Sequence, residues 1–209
     1  MAEKRIPSML LSILFTQVDD MMGRRSLIML LRQAGLLEYV DNVPPMDDSP
    51  SITVEEYSTL LANIYEIFGA RGARPIFLRG GRLGAVELRR QRPAQFAVSG
   101  MALKLLPTAK RMQLVLDKLV EQGEDMYGAS YRLEEKDDAF FLSIADCPYC
   151  AEITRRHTEQ NKPISKPVCY IPASIVSEMM EWATDQKHLV EEVACIAMGD
   201  PACRFRVSK

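Results

Sequence analysis

The chain has 209 residues, enough to bury a substantial core in one domain, with a formal net charge of −2, 47% apolar residues and 26% charged ones. That balance gives no bulk electrostatic attraction to nucleic acid or to an anionic membrane. The longest apolar run near the start, residues 9–15, is too short to span a bilayer, and Thr-Gln-Val-Asp-Asp follows it without a small-residue cleavage site, so the expected location is the cytoplasm, where thiols stay reduced.

Leu27, Leu30, Leu31, Ala34 and Leu37 recur at helical spacing and predict a helix over 24–40. Residues 9–37 carry more Leu, Ile and Met than one helix face needs, which predicts a second buried surface and hence a homodimer joined through N-terminal helices. Residues 43–50 are a breaker-rich loop. Thr53 and Glu56 then have the spacing of a capping box, opening a helix whose stripe of Val54, Tyr57, Leu60, Leu61, Ile64 and Phe68 ends at Gly69. Residues 75–90 are predicted helical despite Gly80, Gly81 and Gly84. These glycines follow no strand and lack dinucleotide-fingerprint spacing, so they signal close helix packing rather than a phosphate loop. Arg71, Arg74, Arg79, Arg82, Arg89, Arg90 and Arg92 read as a solvated basic face.

Met112, Val115, Leu116 and Leu119 mark a helix after Pro107, with Gly123 as its expected end. The period then changes. Tyr127, Ala129, Tyr131 and Leu133 alternate with polar or small residues, as do Phe140, Leu142 and Ile144 beyond a polar turn. Ile175, Val176, Met179, Met180 and Ala183 return to helical spacing, with Trp182 expected to pack that helix on the sheet; residues 188–197 and 203–207 are the last two strands. The fold class is α+β: N-terminal helices packed on a roughly four-stranded antiparallel sheet, in a single domain over 1–209 with residues 1–50 as a helical elaboration.

All five cysteines fall between 147 and 203. Cys195 and Cys203 lie either side of a Gly-Asp-Pro turn, so a short hairpin would put both thiols on one face. With a five-residue loop, Cys195 pairs with Phe205, and strict alternation puts Glu191 on the thiol face; use of Glu192 requires a bulge. Cys147-Pro-Tyr-Cys150 has the spacing of a zinc knuckle. A thiolate metal site is the leading reading; five buried cysteines packed as small apolar residues is the plainer one. His157 sits in a polar stretch and His188 opens a strand, and both are expected at the surface. No familiar nucleophile, metalloprotease or dinucleotide motif occurs, and the twelve methionines suit an adaptable apolar cavity as well as plain core.

Glu192-x-x-Cys195 followed by Gly199-Asp200-x-x-Cys203-x-Phe205 resembles the C-terminal signature of the vinyl-4-reductase domain, found in a bacteriochlorophyll-biosynthesis protein, in archaeal stand-alone proteins and in the sensor module of phenol-responsive activators. The family is similar in fold to TRAPP subunits and the haem-NO-binding proteins. The resemblance covers residues 140–208 and makes 51–209 the ligand-binding part. It implies a zinc held by Cys169, Glu192, Cys195 and Cys203, with Cys147 and Cys150 as alternative fourth ligands. One structural zinc per chain is expected; an iron–sulfur cluster is the alternative, since a four-thiolate set is available.

The implied function is a zinc-stapled sensor or carrier for a small hydrophobic or aromatic ligand, non-enzymatic, without nucleic acid or membrane partners. The last strand runs to the end of the sequence, so output is expected through a partner protein or a dimer. The alternative is an accessory factor or reductase of tetrapyrrole metabolism, although no hydride-donor site is visible in the sequence.

Overall fold

A computed structural model describes residues 4–92, 94, 96, 101 and 103–209. The chain opens with β1 (Arg5–Pro7), which pairs antiparallel with β2 (Pro50–Thr53) and so pins the start of the chain beside the start of the longest helix. Between them lie α1 (Ser8–Met22) and α2 (Arg24–Gln33), followed by a single 3-10 turn at Leu37–Tyr39. The predicted helix over 24–40 thus stops at Gln33, and residues expected to be plain loop supply β2.

Thr53 caps α3 (Val54–Gln91) as its sequence predicts: its hydroxyl accepts from the Glu56 N–H at 3.1 Å, and the Glu56 carboxylate accepts from the Thr53 N–H at 2.8 Å. Gly69, at φ 66° and ψ 170°, breaks the helix at the predicted place, but the chain re-enters helical geometry at once. The second half carries Gly80, Gly81 and Gly84, all buried, against α6 (Tyr170–Thr184) and α1. A Cβ on Gly81 would lie 2.4 Å from the Ile171 carbonyl oxygen, so close helix packing is what these glycines provide.

α4 (Thr108–Tyr127) corrects one expectation. It runs through Gly123 and ends at Gly128, whose left-handed φ of 72° closes the last turn with an N–H to the Glu124 carbonyl. Gly123 instead makes room for the Tyr131 ring, which a Cβ there would meet at 2.5 Å.

The main sheet has strand order β3 (Ser130–Glu135), β4 (Ala139–Ala145), β6 (Cys203–Ser208), β5 (Val190–Ala194), antiparallel throughout. Pairing of Phe140 with Val207, Leu142 with Phe205 and Ile144 with Cys203 stacks six buried side chains on one face, which α6 and α4 cover. Each large apolar side chain so buried contributes about 1.5–3 kcal/mol against exposure. The other face is polar: Arg204 stacks on Phe141 at 4.7 Å and pairs with Glu134 at 2.7 Å. Helices lie on one face of a four-stranded antiparallel sheet, as the alternation predicts.

Further readings change. α1 buries Leu11, Ile13, Leu14, Phe15 and Val18, which is most of its circumference, inside the protomer, so the apolar excess of residues 9–37 finds its second surface within the chain and does not itself call for a second copy. His188 is buried at 9% exposure, bonded through Nε2 to the Thr184 hydroxyl and through Nδ1 to the Ser208 carbonyl. Trp182 meets Phe96 edge to face at 5.2 Å between centroids, away from the sheet. The basic segment is partly tied down: Arg82 and Arg89 reach Glu178 of α6, Arg92 reaches Asp48, and Arg74 stacks on Tyr170. Among the described residues no helix is long and apolar enough to cross a membrane.

Candidate metal centre and central cavity

Three backbone turns bring all five cysteines together at one end of the sheet, and all five are buried. The first turn follows β4. Asp146 takes a left-handed φ of 52°, and the Cys147 carbonyl then accepts from the N–H groups of Cys150 and Ala151, which opens α5 (Ala151–Glu159) with both sulfurs turned inward. The second is the start of α6, where Cys169 is the residue before the helix and its N–H donates to Glu192 Oε2 at 2.9 Å. The third joins β5 to β6. There the Asp200 carboxylate accepts from the Cys195 N–H at 2.8 Å, the Cys195 carbonyl accepts from Met198 and Asp200, and Gly199 supplies φ 97°. This loop also aims the Ile196 N–H at Cys203 Sγ, 3.5 Å away.

The last hairpin departs from its predicted register. Glu192 pairs with Phe205 and Ala194 with Arg204, with a bulge between Glu192 and Ala194. The bulge is the irregularity that use of Glu192 requires: Glu191 lies opposite Arg206 on the exposed face, Val193 is 50% exposed, and Glu192 turns inward. Strict alternation over residues 188–197 fails because a 3-10 turn at Ile196–Met198 replaces the upper strand.

The sulfurs form a compact set. Cys150 and Cys203 are 3.4 Å apart, Cys169 and Cys203 3.5 Å, Cys147 and Cys169 3.7 Å, and Cys195 and Cys203 4.0 Å. A tetrahedral zinc with sulfur ligands at about 2.3 Å has sulfur–sulfur edges of about 3.8 Å. Two overlapping groups have the composition and spacing to hold a metal ion: Cys147, Cys150, Cys169 and Cys203, and Cys169, Glu192, Cys195 and Cys203, with the donor atoms of each group within 4.8 Å of one another. Every residue the sequence nominated therefore reaches the cluster. His157 does not; it bonds the Lys162 carbonyl at 3.0 Å and packs on Tyr65.

Protonation in the cluster is shared. Burial, then the neighbouring Cys195, pushes the Glu192 carboxyl up to about 9, and its Oε1 is buried with no partner. Burial also holds Cys169 and Cys147 above the ordinary thiol range. Cys195 and Cys203 are drawn down to about 6, chiefly by hydrogen bonds from Cys150 and Cys147 respectively. The cluster thus already favours thiolate at two positions, and a dication offsets the cost of burying the rest.

Sequence reasoning did not locate the second feature, a cavity of about 120 Å³ between α1, α3, α4, α6 and the sheet. Leu14, Ala85, Leu119, Leu142, Ile144 and Val176 typify its walls, and Tyr57, Tyr127, Tyr131 and Tyr149 gather at one side. None of its described lining residues carries a formal charge. Burial pushes the Tyr127 hydroxyl up to about 12, so it stays protonated at neutral pH. The methionine count pointed only loosely this way, through Met9 and Met126.

The fold is shared with solved sensor domains. The crystal structure of the phenol-responsive sensory domain of the transcription activator PoxR with phenol aligns with a TM-score of 0.53 at 13% identity, covering 77% of each chain. A structure from a study of heme distortion in the H-NOX family gives 0.58 at 16% identity over 97% of this chain and 94% of that one. An H-NOX protein from S. oneidensis in the Fe(II)NO state gives 0.54 at 10% identity over 94% and 97%. An uncharacterized protein of Methanocaldococcus jannaschii is 27% identical over 66 residues, about a third of each chain (32% of both). A family model, that of the vinyl-4-reductase domain, matches residues 140–209, which hold β4, β5, β6 and all six candidate metal donors. That segment, which carries the Glu192, Cys195 and Cys203 motif, belongs to the vinyl-4-reductase domain family.

Proposed function

We propose that the chain is a metal-stapled binding module that takes a small, uncharged ligand with a single ring into its central cavity and acts as a sensor or carrier, with no chemistry on the ligand. The cavity carries this reading. An apolar cavity of about 150 Å³ engineered in another protein binds benzene, so 120 Å³ suits one ring. The uncharged lining disfavours an anionic ligand, while the tyrosine side offers hydroxyls to a phenolic group. The likeness in fold to a sensory domain solved with phenol supports the same reading.

A tetrapyrrole fits less well. Drug-sized ligands occupy roughly 300–1,000 Å³, and neither His157 nor His188 is among the cavity's lining residues, as a haem with a histidine axial ligand would require. A thermal-shift screen of the full chain tests both. Phenol and its small alkyl derivatives are expected to raise Tm by roughly 5–10 °C at a hundredfold excess over Kd, with porphyrins and fatty acids without effect. Stabilisation by porphyrins alone, or turnover of a divinyl tetrapyrrole with reduced nicotinamide, would overturn the proposal. A flat screen would leave an interaction scaffold as the better account.

The metal in this reading is zinc, drawn from Cys169 and Cys203 with Cys195, Glu192 and the Cys147/Cys150 pair as the remaining donors. The sulfur spacing and the unpartnered Glu192 Oε1 support it. With all donors supplied by protein, its role is to tie the β4–α5 turn, the start of α6 and the β5–β6 loop together. Uptake must displace protons from groups held above their ordinary range, among them Glu192, Cys147 and Cys169, so zinc affinity is expected to fall as pH drops from 8 to 6. Glu192→Gln should lower the slope of log affinity against pH by about one proton if the carboxylate is a ligand. An unchanged slope in chelator competition would remove Glu192 from the ligand set.

A further inference from the structure

We infer that the cluster is built for two metal ions sharing the Cys169 and Cys203 thiolates, with Cys147 and Cys150 completing one tetrahedron and Cys195 and Glu192 completing the other. This rests on the reading of the cluster as a metal centre and goes beyond the single ion expected of it.

Donor number carries the inference. The two groups able to hold a metal overlap in Cys169 and Cys203, whose sulfurs stand 3.5 Å apart, the separation of a shared edge. Thiolate sulfur has lone pairs enough to bridge two ions, and these two sulfurs lie at the centre of the cluster: Cys203 is within 4.0 Å of Cys150, Cys169 and Cys195, and Cys169 is 3.7 Å from Cys147. One ion leaves part of the cluster without a purpose whichever group holds it. In the four-thiol group, Glu192 keeps a buried carboxylate oxygen with no partner, on the residue that the β5 bulge turns inward. In the other group, the knuckle turn of Cys147 and Cys150 holds two buried thiols against nothing but other sulfurs and the Cys147 carbonyl. Two ions use all six donors.

Charge permits it as well. Six anionic donors against two dications leave the same net charge as four thiolates around one dication, an arrangement that structural zinc sites tolerate. The bulge, the Asp200 clasp on Cys195 and the Cys169 N–H bond to Glu192 are then parts of the second ion's site, positioned by backbone.

Metal content separates the possibilities. The full chain, purified without chelator and weighed by native and elemental mass spectrometry, is expected to hold two zinc ions. Cys195→Ala and Cys147→Ala should each lower the count to one, since each leaves the other group of four intact. Cobalt(II) loading gives an independent readout: thiolate bridges couple the two spins, so the paramagnetic resonance intensity per cobalt should fall on full loading, and should be restored in either variant. One zinc in the parent, with uncoupled cobalt, would overturn the pair while leaving a metal centre in place. No metal in the parent would overturn the metal centre itself.

Discussion

Cys203→Ala is expected to abolish metal binding and to lower Tm by roughly 8–16 °C. Cys203 belongs to both donor groups, and its sulfur is within 4.0 Å of three of the other four cysteines. It also begins β6, an inner strand, opposite Ile144 of β4. Losing it removes a bridging or central ligand in any arrangement of the site. Metal bound to the folded state at a thousandfold above Kd contributes about 4 kcal/mol, and each kcal/mol moves the Tm of a chain this size by about 2–4 °C. The smaller side chain itself costs on the order of 1 kcal/mol. Chelator separates the two contributions: it should lower the parent's Tm by most of the difference and leave that of Cys203→Ala unmoved. A variant that binds metal as the parent does would show that Cys203 is only core.

The parts of this structure legible in the sequence are those fixed by short-range chemistry. The Thr53–Glu56 capping box, the break at Gly69 and the Phe140–Leu142–Ile144 alternation each encode geometry in neighbouring residues, and each is found where the residues put it. Gly123 misled because its reason for being glycine is long-range: the Tyr131 ring occupies the space of a side chain. β1 and β2 escaped because each is short and is defined by a partner more than forty residues away. The candidate site was legible as a set of residues, since thiols at these spacings have few other uses in a reducing setting. Its geometry was not. Strict alternation nominated Glu191, and only the bulge in β5 brings Glu192 to the cluster. The cavity lay further out of reach, because its walls come from α1, α3, α4, α6 and the sheet, and no local pattern marks an empty space.

Gly81→Ala should destabilise the fold by about 3 kcal/mol, against the direction that helix propensity alone gives. Alanine in a helix interior is favoured over glycine by about 1 kcal/mol. At position 81, however, the added Cβ would stand 2.1 Å from Ser174 Oγ and 2.4 Å from the Ile171 carbonyl oxygen. The serine hydroxyl can rotate at the cost of its bond to that same carbonyl, but the carbonyl is backbone and cannot. α3 and α6 must therefore part, and overpacking of this kind costs about 1–3 kcal/mol or more. The damage reaches both functional features, because Ile171 and Pro172 line the cavity and Cys169 lies just before the helix that is displaced. Weaker ligand stabilisation and weaker metal retention should accompany the loss, with Ser174→Ala giving only partial rescue. Gly84→Ala is the control: its Cβ would meet only Leu10 Cδ2, at 3.7 Å, so it should be neutral or stabilising by up to about 1 kcal/mol. Equal midpoints for the two variants in urea unfolding would mean that α3 and α6 do not touch at Gly81.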